Sequence, residues 1–211
     1  MIETIENAIQ LTVTGLCSAS ALYYAVRSKE RTWILLGLFA GVFFLGDLYW
    51  QLILVFYDRT PDFYISEFSW YTSYLFLLLV LIYINVENAG DWKFRLRPKY
   101  LCIPAFAVGM CVFFMTRGDY LGNIIVAVLM TGLIWHAVYG LQTVRRQGEE
   151  GKSRRMLYIV TLVFCAAEYG MWISSCFWMG DGITNIYFWF DFLLSITFLL
   201  FLPALRKAVD R

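Results

Sequence analysis

The chain alternates between long apolar runs and short polar connections. Seven runs can be read, at about residues 6–26, 32–57, 64–86, 99–116, 120–143, 155–178 and 184–205. Each is close to the ~20 residues that an α-helix needs to cross a hydrocarbon core of about 30 Å. Backbone polar groups in lipid must be satisfied within their own segment, so runs of this kind predict helices. The connections are too short for a soluble domain. The whole of 1–211 is therefore expected to form a single transmembrane domain, an all-α seven-helix bundle. Pro104 and Pro203 are expected to bend or end their helices. The stretch Gln147–Gly151 reads as the loosest connection.

Charge gives the runs an orientation. Fifteen of the seventeen lysines and arginines fall after the first, third, fifth and seventh runs: Arg27 to Arg31, Lys93 to Lys99, Arg145 to Arg155, and Arg206, Lys207 and Arg211. Only Arg59 and Arg117 fall on the other side. Basic residues accumulate on the cytoplasmic face. The expected topology has the N-terminus outside, the C-terminus in the cytoplasm and an odd number of spans. Tyr57, Tyr64, Trp70, Tyr71, Tyr120, Trp178, Tyr187 and Trp189 crowd the outer ends, where interfacial aromatics gather.

Composition agrees with a membrane protein, since 60% of the residues are hydrophobic against about 45–50% in soluble domains. The net charge of +1 excludes nothing about partners beyond nucleic acid, for which no basic domain exists. The five cysteines, Cys17, Cys102, Cys111, Cys165 and Cys176, all lie in apolar runs without a CxxC. They read as buried small hydrophobes and not as a disulfide framework or a metal site. The first residues carry Glu3 and Glu6 and no basic group, so a cleaved signal peptide is not expected. No motif points to a cofactor or metal, and HExxH, GxSxG and P-loop patterns are missing.

Polar positions inside the runs carry the candidate chemistry. Asp47 interrupts the second run, Glu168 the sixth and Asp191 the seventh. A carboxylate in hydrocarbon costs at least about 2.5 kcal/mol, so it normally faces a partner or a wet cavity. Counted from the outer ends, all three lie at similar depth, Asp47 at roughly 16 Å. Trp50 and Gln51 follow Asp47 at i+3 and i+4, Trp172 follows Glu168 at i+4, and Ser195 follows Asp191 at i+4, the spacings that share a helix face. Ser66, Ser69, Trp70 and Ser73 form a stripe in the third run, and Gln10, Thr14, Ser18 and Ala21 one in the first. Asn123 stands where it could line a cavity mouth or start a helix.

The first and second halves of the chain also resemble each other. Thr14-Gly15-Leu16 has a counterpart in Thr131-Gly132-Leu133, Asp47 with Trp50 in Glu168 with Trp172, and Trp70 in Trp189. The fourth run is left over as a linker. In this parallel 3+1+3 arrangement the chain resembles the transporter–opsin–receptor superfamily, which includes SWEET and PQ-loop carriers and microbial rhodopsins. The resemblance implies a seven-helix bundle with an internal repeat. The Pro-Gln signature is missing, and so is a lysine within the seventh run, which sets retinal attachment aside. A topological resemblance also extends to seven-helix sensor regions of bacterial kinases and cyclases, although no output domain follows here.

Aromatic faces with carboxylates suit an organic cation. The expected function is a carrier that takes a small polar or cationic solute from the outer side, with Asp47, Glu168 and Asp191 as charge partners, Trp50, Trp70, Trp172 and Trp189 as walls, and Gln51 and Ser73 as orienting groups. In a proton-coupled form, Asp47 and Glu168 would carry protons and His136, the lone histidine, would relay them inward. A ligand sensor that signals through a cytoplasmic partner at the 145–155 loop stands beside this reading, and so does an intramembrane lipid enzyme. A structural role also stays open, in which each acid merely bonds neighbouring helices together.

Overall fold

The computed structural model describes residues 2–57, 63–89, 98–147, 151–178, 180 and 182–209. Seven α-helices account for nearly all of them: α1 (Ile2–Ser28), α2 (Arg31–Tyr57), α3 (Phe63–Ala89), α4 (Cys102–Met115), α5 (Tyr120–Gln147), α6 (Lys152–Ser175) and α7 (Ile186–Val209). A short 3-10 turn, Pro98–Tyr100, precedes α4. Six helices are long and apolar enough to cross a membrane. The protein is a multi-pass membrane protein with an all-α bundle. The fourth helix has 14 residues and spans only about 21 Å at 1.5 Å per residue. Arg59, the basic residues Lys93, Arg95, Arg97 and Arg211, and the loop residues Gly148, Glu149 and Glu150 lie outside the described residues, as does Asp181.

Helix packing forms a closed ring. Going round it, α1 packs on α2, α2 on α3, α3 on α5, α5 on α6, α6 on α7, and α7 back on α1. The fourth helix stands outside this ring, against α5. The ring therefore consists of two consecutive triplets, α1–α3 and α5–α7, which meet along two seams, α3 against α5 and α1 against α7. Helical periodicity decides what faces inward. The buried stripe of α1 is Glu6, Gln10, Thr14, Cys17, Ala21 and Ala25, and that of α6 includes Leu157, Thr161, Phe164, Glu168 and Tyr169. Leucine, isoleucine and valine side chains cover much of the outside, as at Leu16, Val26, Leu45, Val55, Val128 and Ile196.

The middle of the ring is closed by stacked aromatics. Phe39 lies on Phe198 at 4.8 Å between ring centroids and edge-on to Phe201 at 5.4 Å. Phe43 meets Phe198 at 4.9 Å, and Tyr74 meets Phe164 at 5.6 Å. Helices α2, α3, α6 and α7 all contribute, so this cluster ties the two triplets together. Edge-to-face and offset pairs of this kind add about 0.5–1.5 kcal/mol each beyond their buried area.

Neither proline ends its helix. Helix α7 runs through Pro203 to Val209, and Pro104 sits in the first turn of α4, where a missing N–H costs nothing. Cys17 and Cys165 are buried, but Cys102 is exposed on α4, so the expectation that all five cysteines are buried does not hold.

Close approach between helices depends on small residues. A Cβ on Gly140 would stand 2.2 Å from the ring of Tyr158, which is itself buried and hydrogen-bonded to Asn85 at 2.7 Å. Nothing lies within 4 Å of a Cβ on Gly109. Gly140→Ala is expected to destabilise the protein by about 1–3 kcal/mol, while Gly109→Ala is expected to be neutral or slightly stabilising. Thermal unfolding of the two variants in detergent checks the contrast.

Candidate functional site

Most of the carboxyl groups at the bundle's acidic end converge on one cavity of about 640 Å³, within the ~300–1,000 Å³ range of small-molecule sites. It is reached at the start of α1, α3, α5 and α7 and at the end of α2, α4 and α6, so consecutive helices run in opposite directions past it. Among the described residues, six carboxyl groups line it, from Glu3, Glu6, Asp47, Glu67, Asp119 and Asp191, together with one arginine, Arg117. The Arg117 guanidinium lies over the Phe177 ring, 5.7 Å from its centroid. Trp50, Trp70, Trp172, Phe43 and Phe188 supply aromatic wall. Phe43 and Tyr74 form the floor, directly above the aromatic cluster that closes the middle of the ring.

Asp47 is held on the α2–α3 side. Gly46 permits the approach, since a Cβ there would lie 3.0 Å from both Ser69 Cβ and Trp70 Nε1. Trp70 Nε1 donates to Asp47 Oδ1 at 3.1 Å, and Asp47 Oδ2 has no hydrogen bond of ordinary geometry among the described residues, with the Thr14 side chain beside the carboxyl. Asp47 is 5% exposed. On the α1–α7 seam, Gln10 Nε2 donates to Asp191 Oδ1. The Glu6 carboxyl stands next to that of Asp191, with its Oε1 unpartnered in the protein. Glu6 is 2% and Asp191 3% exposed.

Glu168 occupies a different position from the other two predicted acids. It is 1% exposed and does not line the large cavity. It lies behind it, beside Tyr74 and Trp172, and neither carboxyl oxygen has a hydrogen bond of ordinary geometry. A crevice of about 10 Å³ between α4, α5 and α6 adjoins it, room for about one water molecule. Asp47, Glu168 and Asp191 are close enough to act on one another's charge. Burying carboxylates without counter-charges costs several kcal/mol per ion, and among the described residues Arg117 is the basic side chain that lines the cavity with them.

The remaining predicted residues divide. Trp50, Trp70 and Trp172 line the cavity. Trp189 does not: it is 57% exposed and its Nε1 donates to Ile183 O at 3.0 Å. It lies two residues before Asp191, and two steps of 100° turn a helical side chain to the far face. Its pairing with Trp70 in the supposed repeat is not kept. Ser73 is buried with its hydroxyl on Trp70 O at 2.7 Å, and Gln51 is half-buried beside the cavity wall without lining it. His136 belongs to another polar cluster, towards the opposite end. Asn85 Nδ2 stands 3.3 Å from His136 Nδ1 and donates to His136 O at 3.1 Å, while Tyr158 donates to Asn85 Oδ1 at 2.7 Å. This cluster joins α3, α5 and α6. Among the described residues no group of three or more His, Cys, Asp or Glu side chains is placed to hold a metal ion.

Glu6, Glu67 and Asp119 were missing from the predicted set. Glu6, Gln10 and Thr14 repeat at four-residue intervals, and Glu67 precedes Trp70 by three, so helical spacing could have recruited them. They sit near helix ends, where a charge is ordinary. Asp119 closes the α4–α5 turn with φ of 43° and accepts the Gly122 N–H at 3.1 Å. Asn123 both lines the cavity and secures this turn through Gly118 O at 2.9 Å and Asp119 O at 2.7 Å.

Comparison with protein-family models, with curated proteins and with solved structures gives no match. The fold and site together define a class, a seven-helix multi-pass membrane protein with a carboxyl-lined cavity at one end.

Asn85→Ala removes bonds to both α5 and α6 at the end away from the cavity. It is expected to cost about 1–3 kcal/mol in thermal unfolding while leaving the fluorescence of cavity tryptophans unchanged in the folded protein.

Proposed function

We propose that this protein binds a small organic cation from the outer side of a membrane and carries it across. The observation that supports the reading most is the lining of the cavity, six carboxyls against one arginine between tryptophan faces. Carboxylates supply Coulomb attraction to an ammonium group, and aromatic faces add about 0.5–2 kcal/mol of cation–π attraction. Orientation follows from charge. Arg27, Arg31, Arg145, Arg154, Arg155, Arg206 and Lys207 lie at the helix ends away from the cavity. The positive-inside rule makes that end cytoplasmic and turns the cavity outward. In this topology α4, short as it is, returns the chain across the membrane between α3 and α5.

A carrier needs two halves that can rock about the site. The ring supports such a division, because neighbouring helices of α1–α3 and α5–α7 pack along two seams, and exchanging the triplets maps one seam onto the other. That is the packing expected of a parallel 3+1+3 repeat. The aromatic cluster below the cavity supports a second reading. A floor packed this closely suits a receptor that holds its ligand and passes the change to a cytoplasmic partner at the 145–155 loop.

Two experiments test these readings. Purified protein in proteoliposomes is expected to take up radiolabelled butylamine with saturation, and Asp47→Asn is expected to weaken butylamine binding about 10- to 100-fold. Saturable binding without uptake would favour the receptor; equal binding of butylamine and the neutral butanol would sink both. Separately, in a cysteine-free background, Thr116→Cys is expected to react with an impermeant maleimide on intact cells, and Lys152→Cys only after permeabilisation. The reverse pattern would overturn the orientation.

A further inference from the structure

The carboxyls of the cavity are not spread evenly around it. Glu6 of α1 and Asp191 of α7 stand together on one seam between the triplets. Glu67 of α3 and Asp119, at the start of α5, stand together on the other. In the order α1, α2, α3, α5, α6, α7 around the ring, these two seams are diametrically opposed. The flanks between them carry Trp50 and the remaining buried carboxyl, Asp47, on α2 and Trp172 on α6.

Each pair contains a carboxyl group that is almost wholly buried and still faces the cavity. Glu6 is 2% and Glu67 3% exposed. Among the described residues, Glu6 Oε1, Glu67 Oε1 and Asp119 Oδ2 have no hydrogen bond of ordinary geometry, with the Tyr71 hydroxyl beside the Glu67 carboxyl. The Asp119 backbone is fixed by the turn that its own side chain caps, so this pair is built into the fold.

Size decides what can satisfy both pairs. With neighbouring helices about 8–10 Å apart, opposite seams of a six-helix ring are separated by about 15 Å between backbones. One ammonium group reaches a carboxylate at about 3 Å and cannot touch both pairs. Two ammonium groups joined by an alkyl chain can. The chain would lie between the tryptophan flanks, where methylenes gain about 0.8 kcal/mol each on burial.

We propose that the cavity takes a linear dication, an α,ω-diamine or a polyamine, with one ammonium on Glu6 and Asp191 and the other on Glu67 and Asp119. The proposal rests on the cation-binding reading above and narrows its ligand class. No covalent step is involved.

The test measures tryptophan-fluorescence titrations of the purified full chain with butylamine, putrescine, cadaverine and spermidine. At least one of the dicationic probes is expected to bind about 10-fold or more tighter than butylamine. The double variant Glu67→Gln, Asp119→Asn is expected to abolish that advantage, so that the diamines and butylamine bind it with affinities within about 3-fold of each other. Asparagine tolerates the positive φ at 119 and keeps the capping oxygen, and a thermal melt matching the parent establishes folding. If that variant melts early, Glu67→Gln alone is expected to reduce the same advantage. Butylamine binding as tightly as every diamine and polyamine overturns the two-ended site and leaves cation binding standing. An unaltered diamine preference in the folded variants also overturns it. Failure of all four amines to bind overturns both readings.

Discussion

A carboxyl group surrounded by hydrocarbon must be neutral, paired or wet, and this constraint organises the acidic half of the bundle. Six acids line one cavity, a seventh lies just behind it, and a single arginine lines it with them. The helices could bury such groups against lipid only at a cost of several kcal/mol each. They bury them instead towards the centre of a ring, where Trp70 and Gln10 satisfy one oxygen each of Asp47 and Asp191. The remaining oxygens turn the cavity into a demand for positive charge. The stacked phenylalanines beneath set its depth.

The helices were legible because lipid permits so little else. Seven apolar runs in the sequence correspond to seven helices, with ends displaced by a few residues. The exception is the fourth, where an 18-residue run yields a 14-residue helix standing outside the ring. Nothing in hydropathy distinguishes a ring member from a neighbour of the ring. That distinction depends on which faces find partners, and α4 presents no buried polar stripe.

The site was legible only where polarity was costly. Asp47, Glu168 and Asp191 stood out because they interrupt apolar runs. Glu6, Glu67 and Asp119 did not, since charges near span ends are commonplace. Trp189 misses the cavity for a geometric reason: it lies two residues from Asp191, and a two-residue step crosses the helix. Glu168 was correctly read as buried, yet burial does not say which cavity a side chain borders. Depth along an axis can be counted from sequence; azimuth around a ring requires knowing the neighbours on both sides.

The two seams explain why the acids lie where they do. Within a triplet, helices pack through small and apolar residues, as at Gly37 and Gly41 of α2 against α1. At the acidic end of each seam, carboxyls from the two triplets stand near each other, and wherever both are ionised their like charges favour separation. A cation placed on a seam reverses the sign of that interaction and draws the two halves together. Under the proposed function, occupancy of both seams closes the acidic end symmetrically, whereas one charge on one seam closes it on one side only. Ligand length and charge number are thereby coupled to the arrangement of the halves through Coulomb forces alone, without a dedicated lid.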